Sequence, residues 1–325
     1  MMREIIYSLP NQISAAVGFV PDLSFSRKKY NRVLICGMGG SGISGEALSA
    51  LYPQIQIVSN RDYGIPRFVD KNTLAVLISY SGNTEETLSN YGQLSKRKID
   101  MVLLSSDGKL FKKKALHKVK VPPGLPPRGA LGYLFAPLPL IIYQAQLIDY
   151  DPRKELLELA AFLVRQRGYI ERMARRMSNR FVNKIIIIYA YSSLFVPVAN
   201  RWRCQLNENA EVFAHGNVIP EMNHNEIVGL GRPKKFSCDT LLVFLHDPGA
   251  HPRNKARCRL VKTLVKNELS DILDVQPRGK NALQRMFWTI MLGDFVSYYL
   301  AVTLGVDPMR VDRIDQLKQR LAKLK

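Results

Sequence analysis

Carboxylates are scarce in this chain. Only 27 Asp and Glu stand against 47 Lys and Arg, a formal charge of +20 over 325 residues. Such an excess invites a nucleic-acid partner. The basic residues are spread along the sequence, however, and only Lys112-Lys113-Lys114 and the extreme C-terminus form small clusters. No helix-turn-helix, zinc-finger or aromatic RNA-binding signature accompanies them, so no specific nucleic-acid partner is expected. A basic surface equally suits a small phosphorylated substrate. Cysteine is also sparse: Cys36, Cys204, Cys238 and Cys258 are scattered and form no C-x-x-C pair. That pattern excludes a disulfide framework and reads as reduced, mostly buried thiols of a cytoplasmic protein. Met1-Met2-Arg3-Glu4-Ile5-Ile6 lacks a secretory apolar region. Two long apolar runs, Leu131 to Ile148 and Phe287 to Leu304, are interrupted by Pro137, Pro139 and Gln144 and by Asp294 respectively. Both read as buried core helices, and no membrane partner is expected.

The chain does have the 46% hydrophobic content of a globular protein and the length for two α/β domains. It also has a glycine-rich turn around which the first half is organised. Val33-Leu34-Ile35-Cys36 reads as a buried parallel strand. Gly37-Met38-Gly39-Gly40-Ser41-Gly42-Ile43-Ser44-Gly45 follows, and Glu46 to Leu51 reads as a helix. A strand passing through glycines into a helix N-terminus builds an anion site, because backbone N–H groups and the helix dipole point at negative charge. A tight βα turn could use the same glycines for geometry alone. Gly37, Gly39 and Gly42 also satisfy G-x-G-x-x-G, but a dinucleotide site wants an acid closing the second strand. Asp62 has the right count yet sits past the end of Ile55-Gln56-Ile57-Val58, behind Arg61.

A third apolar strand, Thr73 to Ile78, ends in Ser79-Tyr80-Ser81-Gly82-Asn83-Thr84-Glu85-Glu86-Thr87. Helix capping needs one hydroxyl, whereas Ser79, Ser81 and Thr84 supply three within six residues, which suits phosphate oxygens. A strand at Met101 to Ser106, a basic segment and a strand at Val119 to Val121 come next. The loop Pro122 to Gly132 then holds Arg128 among four prolines at the start of an apolar helix. A rigidly presented cation beside two phosphate-type turns points to contact with substrate or a developing anion.

Asp151-Pro152 marks the expected domain boundary, and a helix-rich segment, Lys154 to Met177, follows. Lys184 to Ala190 begins a second α/β half and ends in Tyr191-Ser192-Ser193, a faint echo of the first half without its glycines. The helix from about Pro197 carries Trp202 and Leu206 on one face and Glu208 roughly opposite, near the C-terminus. A helix C-terminus disfavours an anion, a setting that a general base for a carbon acid can use. His224 stands in Glu221-Met222-Asn223-His224-Asn225-Glu226, a polar cluster unlike a core. Thr240 to Leu245 and Ile272 to Val275 read as strands, and Ala282 to Leu304 and a terminal segment holding Ile314, Leu317, Lys318 and Leu321 as helices.

Taken together, Gly37 to Gly42, Ser79 to Thr87, Pro127-Arg128-Gly129-Ala130-Leu131-Gly132-Tyr133, Asn223-His224-Asn225-Glu226 and Gly305-Val306-Asp307-Pro308 occur in an order that closely resembles the bifunctional phosphoglucose/phosphomannose isomerases of archaea, in the sugar isomerase (SIS) superfamily. The resemblance covers about residues 30 to 320. It implies two SIS domains, 1–152 and 153–325, each a mainly parallel sheet flanked by helices in three αβα layers. It implies a homodimer with sites at the interface and a sugar phosphate substrate. In that family the positions of Ser41, Ser79, Ser81 and Thr84 hold the phosphate, with Gly39 and Gly40 in the substrate loop. Glu208 matches the base moving a proton between C1 and C2, and Arg128 the cation stabilising the enediolate. His224, donated by the neighbouring subunit, matches the ring-opening acid/base, and Lys318 assists it. Val311 stands where the family can present a threonine near the sugar. The implied chemistry needs no metal or cofactor. Two rival readings remain: a non-catalytic SIS module that binds a sugar phosphate, and a nicotinamide-dependent dehydrogenase.

Overall fold

The computed structural model describes residues 1–25, 30–237 and 239–324, so Cys238 lies outside the described residues. Two compact units divide the chain. The N-terminal unit comprises Ile5–Arg167 with Arg278–Trp288, and the C-terminal unit comprises Met1–Glu4, Gly168–Pro277 and Thr289–Lys325. The helix Arg153–Ser178, expected from Lys154 to Met177, begins in one unit and ends in the other.

In the N-terminal unit β1 (Arg32–Cys36), β2 (Gln56–Asn60), β3 (Thr73–Ile78), β4 (Met101–Ser105) and β5 (His117–Lys120) form one sheet in the order β2-β1-β3-β4-β5. Every pair is parallel, with Cys36 beside Asn60 on one side and Leu77 on the other. Parallel sheets are covered on both faces, which is why β3 buries all six of its residues. One face packs Leu34, Cys36, Ala75, Leu77 and Leu103 against Leu94 of the helix Glu85–Lys96. Each fully buried leucine among them contributes about 1.5–3 kcal/mol of transfer free energy. The helix Gly39–Leu51 covers the other face so closely that a Cβ on Gly45 would lie 2.8 Å from Ile35 Cγ2. At the edge, β5 exposes Lys118 and Lys120, charges that discourage strand addition.

The C-terminal unit repeats the scheme with four strands, β6 (Ile185–Ala190), β7 (Ala214–Val218), β8 (Thr240–Leu245) and β9 (Asp271–Val275), in the order β7-β6-β8-β9 and again all parallel. The α/β architecture of two parallel sheets flanked by helices is therefore the one expected. β7 is an addition: Ala-His-Gly-Asn-Val carries no apolar run, and its strand geometry comes from pairing with β6 between Ala214 and Val218. The expected helix start at Glu46 is corrected to Gly39, so most of the glycines sit inside the first turns of a thirteen-residue helix.

The helix Ala282–Leu304 is long and apolar enough to cross a membrane, yet 72% of its most apolar window is buried in the protein. Its Asp294 is buried too and holds a two-pronged ion pair with Arg201, Nε to Oδ1 at 2.9 Å and Nη2 to Oδ2 at 2.7 Å. Cys36, Cys204 and Cys258 are free thiols. Burial pushes the Cys36 thiol up to about 12 and the Cys258 thiol up to about 11, so neither ionises near neutrality.

Candidate active site

In an open parallel sheet, ligands gather at the carboxyl ends of the two neighbouring strands whose connections leave in opposite directions. In the first sheet these are β1 and β3. The chain leaves β1 at Gly37 and β3 at Ser79, so both phosphate-type turns lie side by side at this point. Gly37 has no room for a side chain: its Cβ would meet the Ile78 carbonyl at 3.0 Å. Gly39 adopts φ +50°, and the helix then begins with Met38 as its N-cap and no side-chain cap. Ser41 is buried in the first turn. An uncapped N-terminus of this length is a ready anion site.

The second turn is held by its own backbone. Gly82 takes φ +68°, and its carbonyl accepts from Leu110 N–H at 2.8 Å. Thr84 is the N-cap of Glu85–Lys96, yet its hydroxyl caps nothing there. It shares a 2.8 Å hydrogen bond with the buried Ser79 hydroxyl. Ser81 is exposed, with its Oγ accepting from Asn83 N–H at 3.3 Å. The hydroxyls are thus arranged around the turn instead of serving the helix end. The basic segment borders the same turn, since Lys109 N–H donates to Asn83 Oδ1.

Arg128 occupies the short 3-10 turn Pro127–Gly129 and is only 6% exposed. It is not a solvated surface cation. Gly40 is the reason the two loops can touch: a Cβ there would lie 3.1 Å from Pro127 O and 3.5 Å from Arg128 Cα. Gly39, Gly40, Ser41, Ser79, Ser81, Thr84 and Arg128 are thus brought to one end of one sheet. Gly42 faces Arg61, whose Nη2 lies 2.9 Å from Glu46 Oε1. The Asp62 carboxylate instead accepts from Tyr63 N–H at 2.6 Å, within its own bend. A dinucleotide ribose would meet a cation where it wants an acid.

Glu208, His224 and Lys318 belong to the C-terminal unit. Glu208 is the penultimate residue of the helix Val196–Asn209 and is half-buried. The next residue, Asn209, is fully buried and donates to Ser297 Oγ at 3.0 Å, which fixes the helix end. His224 closes the 3-10 turn Glu221–His224 and is exposed. Its neighbour Glu226 anchors the segment, accepting from Tyr189 Oη at 2.6 Å and from Asn217 Nδ2 at 2.5 Å. Glu226, the acidic end of the Asn-His-Asn-Glu stretch, therefore holds it in place while the imidazole stays exposed. Lys318 is exposed on the helix Asp312–Leu321, which buries none of its residues within the chain. Val311 is the N-cap of that helix and has no hydroxyl to offer its N–H groups.

The corresponding point of the second sheet, after β6 and β8, is differently furnished. Tyr191 Oη pairs with His246 Nδ1 at 2.6 Å, and His246 Nε2 pairs with Asp274 Oδ1 at 2.5 Å. The hydrogen bond from His246, with help from Lys262, holds the Asp274 carboxyl down at about 2. Side chains and a carboxylate fill the place where the first sheet leaves backbone N–H groups for an anion, so the echo at Tyr191-Ser192-Ser193 is not a second phosphate turn. Among the described residues, no three His, Cys, Asp or Glu side chains gather into a group able to hold a metal ion.

Two residues of the site were not singled out by sequence. Tyr80 and Gln12 each make two hydrogen bonds to the Arg128 loop, from 45 and about 120 residues away. Tyr80 lay inside a recognised motif; nothing around Gln12 marked it.

Two parallel sheets flanked by helices, with an uncapped helix N-terminus, a hydroxyl-rich turn and a buried arginine at one strand end, match the SIS class of α/β fold in both sequence and structure comparisons. Residues 170–321 match the family model of the bacterial phospho-glucose isomerase C-terminal SIS domain. The bifunctional phosphoglucose/phosphomannose isomerase of Caldicellulosiruptor bescii is 38% identical over the full length of both chains. That of Thermoplasma volcanium is 35% identical over 93% of this chain and 95% of its own. Among solved structures, the C-terminal domain of glucosamine-fructose-6-phosphate aminotransferase from Francisella tularensis superposes with a TM-score of 0.73 at 17% identity, covering 94% of this chain and 96% of that one. The chain belongs to the bifunctional phosphoglucose/phosphomannose isomerase family.

Proposed function

We propose that the protein is an aldose–ketose isomerase interconverting glucose 6-phosphate, and mannose 6-phosphate, with fructose 6-phosphate through a cis-enediol. The observation that carries this is the meeting of the glycine turn, the Ser79–Thr84 hydroxyls and buried Arg128 at one sheet end, in a chain of this family. The phosphate sits on Ser41, Ser79, Ser81 and Thr84 at the helix N-terminus. Glu208 removes the proton from C2 of the aldose and returns it to C1. Arg128 stabilises the negative charge that develops on the enediolate oxygens. His224 transfers the proton of ring opening, and Lys318 assists it. No step needs a redox cofactor, since the carbon skeleton is oxidised at one centre and reduced at its neighbour. Residues 1–152 and 153–325 serve as the two SIS domains of a cytoplasmic protein.

The test is a coupled assay with fructose 6-phosphate and no added metal, scoring the two aldose phosphates separately. Formation of both supports the bifunctional reading. Glucose 6-phosphate alone would trace the narrower range to the missing hydroxyl at Val311. Saturable binding without turnover would replace the enzyme by a sugar-phosphate-binding module.

The active form is a homodimer in which each site takes His224 from the neighbouring subunit. Exposure of His224 supports this, as does the apolar row Ile314, Leu317 and Leu321 left uncovered on the terminal helix. Mixing inactive Glu208→Gln and His224→Ala proteins after dissociation checks it. A two-fold heterodimer would place an intact Glu208 and an intact His224 in one of its two sites. Random reassociation should then restore about a quarter of wild-type activity. No restoration would assign His224 to its own chain's site.

A further inference from the structure

The loop carrying Arg128 is clamped on both sides by side chains that are not expected to touch substrate. Tyr80, buried between Ser79 and Ser81, donates its hydroxyl to Pro122 O at 2.8 Å and accepts from Leu125 N–H at 3.0 Å. Burial raises the phenol, so it stays protonated and keeps donating. On the far side, Gln12 is 1% exposed in the helix Leu9–Val17. Its Nε2 donates to Gly129 O at 2.9 Å, and its Oε1 accepts from Gly132 N–H at 3.1 Å. Ser8 Oγ accepts a further bond from Nε2 at 3.1 Å, which fixes the amide's orientation. Glycines let this helix press against the loop: a Cβ at Gly132 would lie 2.6 Å from Gln12 Cβ, and one at Gly129 would lie 2.6 Å from Ile5 Cγ2.

We infer that Tyr80 and Gln12 are positioning residues that set the guanidinium of Arg128 against the reacting oxygens. The backbone is tied at 122 and 125 by one and at 129 and 132 by the other, with Gly40 packed against Pro127 in between. Proline alone stiffens the loop but does not place it. The strand end that supplies the phosphate hydroxyls also supplies the hydroxyl that places the cation, so anchor and cation keep a fixed separation. A misplacement of about 1 Å at such a group costs up to about a hundredfold in rate. Neither residue is among the groups proposed to hold the phosphate, so substrate affinity should change little. The inference rests on Arg128 acting on the enediolate as proposed above.

The test uses full-length Tyr80→Phe and Gln12→Met, which keep side-chain volume, with circular dichroism to confirm folding. Each should lower kcat with fructose 6-phosphate about tenfold to a hundredfold and leave KM within about twofold. In an Arg128→Ala background, Tyr80→Phe should cost nothing further, because it acts through the arginine. Unchanged kcat in both single variants would overturn the inference. So would an equal additional loss in the Arg128→Ala background, which marks a general structural effect. A wild-type protein that binds but does not turn over would instead overturn the isomerase reading, and the inference with it.

Discussion

Replacing Glu208 by glutamine should lower kcat with fructose 6-phosphate by about 10²- to 10⁴-fold, the usual contribution of a positioned general base. Glutamine keeps the shape and most of the hydrogen bonding of glutamate, but it cannot accept the proton lost from carbon. The half-buried side chain at the end of the helix Val196–Asn209 should hold its position, because Asn209 and its bond to Ser297 fix the helix end. Binding of fructose 6-phosphate by calorimetry should therefore stay within a few-fold of wild type. Exchange of the C1 and C2 protons with heavy water, followed by NMR, isolates the chemical step. A Glu208→Gln protein that still exchanges these protons at the wild-type rate would remove Glu208 from the mechanism.

Asp294→Ala should destabilise the C-terminal unit by about 3–5 kcal/mol. The carboxylate is 4% exposed and the facing Arg201 is 3% exposed. Two parallel hydrogen bonds join them, and Gln205 Nε2 adds a third to Asp294 Oδ1 at 3.1 Å. Truncation strips a buried guanidinium of its carboxylate, and little water can take that place. The same helix wall is tightly fitted, since a Cβ on Gly293 would come within 2.2 Å of Trp202 Nε1. Urea unfolding followed by tryptophan fluorescence reads the loss, because Trp202 is fully buried beside this pair. An Arg201→Met, Asp294→Leu double variant should lose much less than the single one, because both charges leave together. Equal losses in the two proteins would show that volume, not the stranded charge, sets the cost.

Much of this protein could be read from its sequence, for a physical reason. A strand buried on both faces of a parallel sheet is a continuous apolar run, so β1, β3, β4, β6 and β8 announced themselves. The turns at Gly37 and Ser79 were legible because positive φ and close backbone approach demand glycine, and because three hydroxyls exceed what a helix cap can use. The motif order also carried the family. Other features depended on partners far away in the chain. β7 is a strand only because β6 pairs with it. The helix begins at Gly39, within residues of low helix propensity, where contact with Ile35 and the end of β1 outweighs that preference. Asp294 looked like a flaw in an apolar helix until its partner, 93 residues earlier, supplied the countercharge. Whether Arg128 was a solvated cation or a buried one lay in the approach of Gly40 and in Gln12, 117 residues before Gly129. Local chemistry determined the strands, the turns and the kinds of group at the site. Tertiary packing decided their burial, their partners and their distances, because a contact between residues far apart in the chain leaves no local pattern in the sequence.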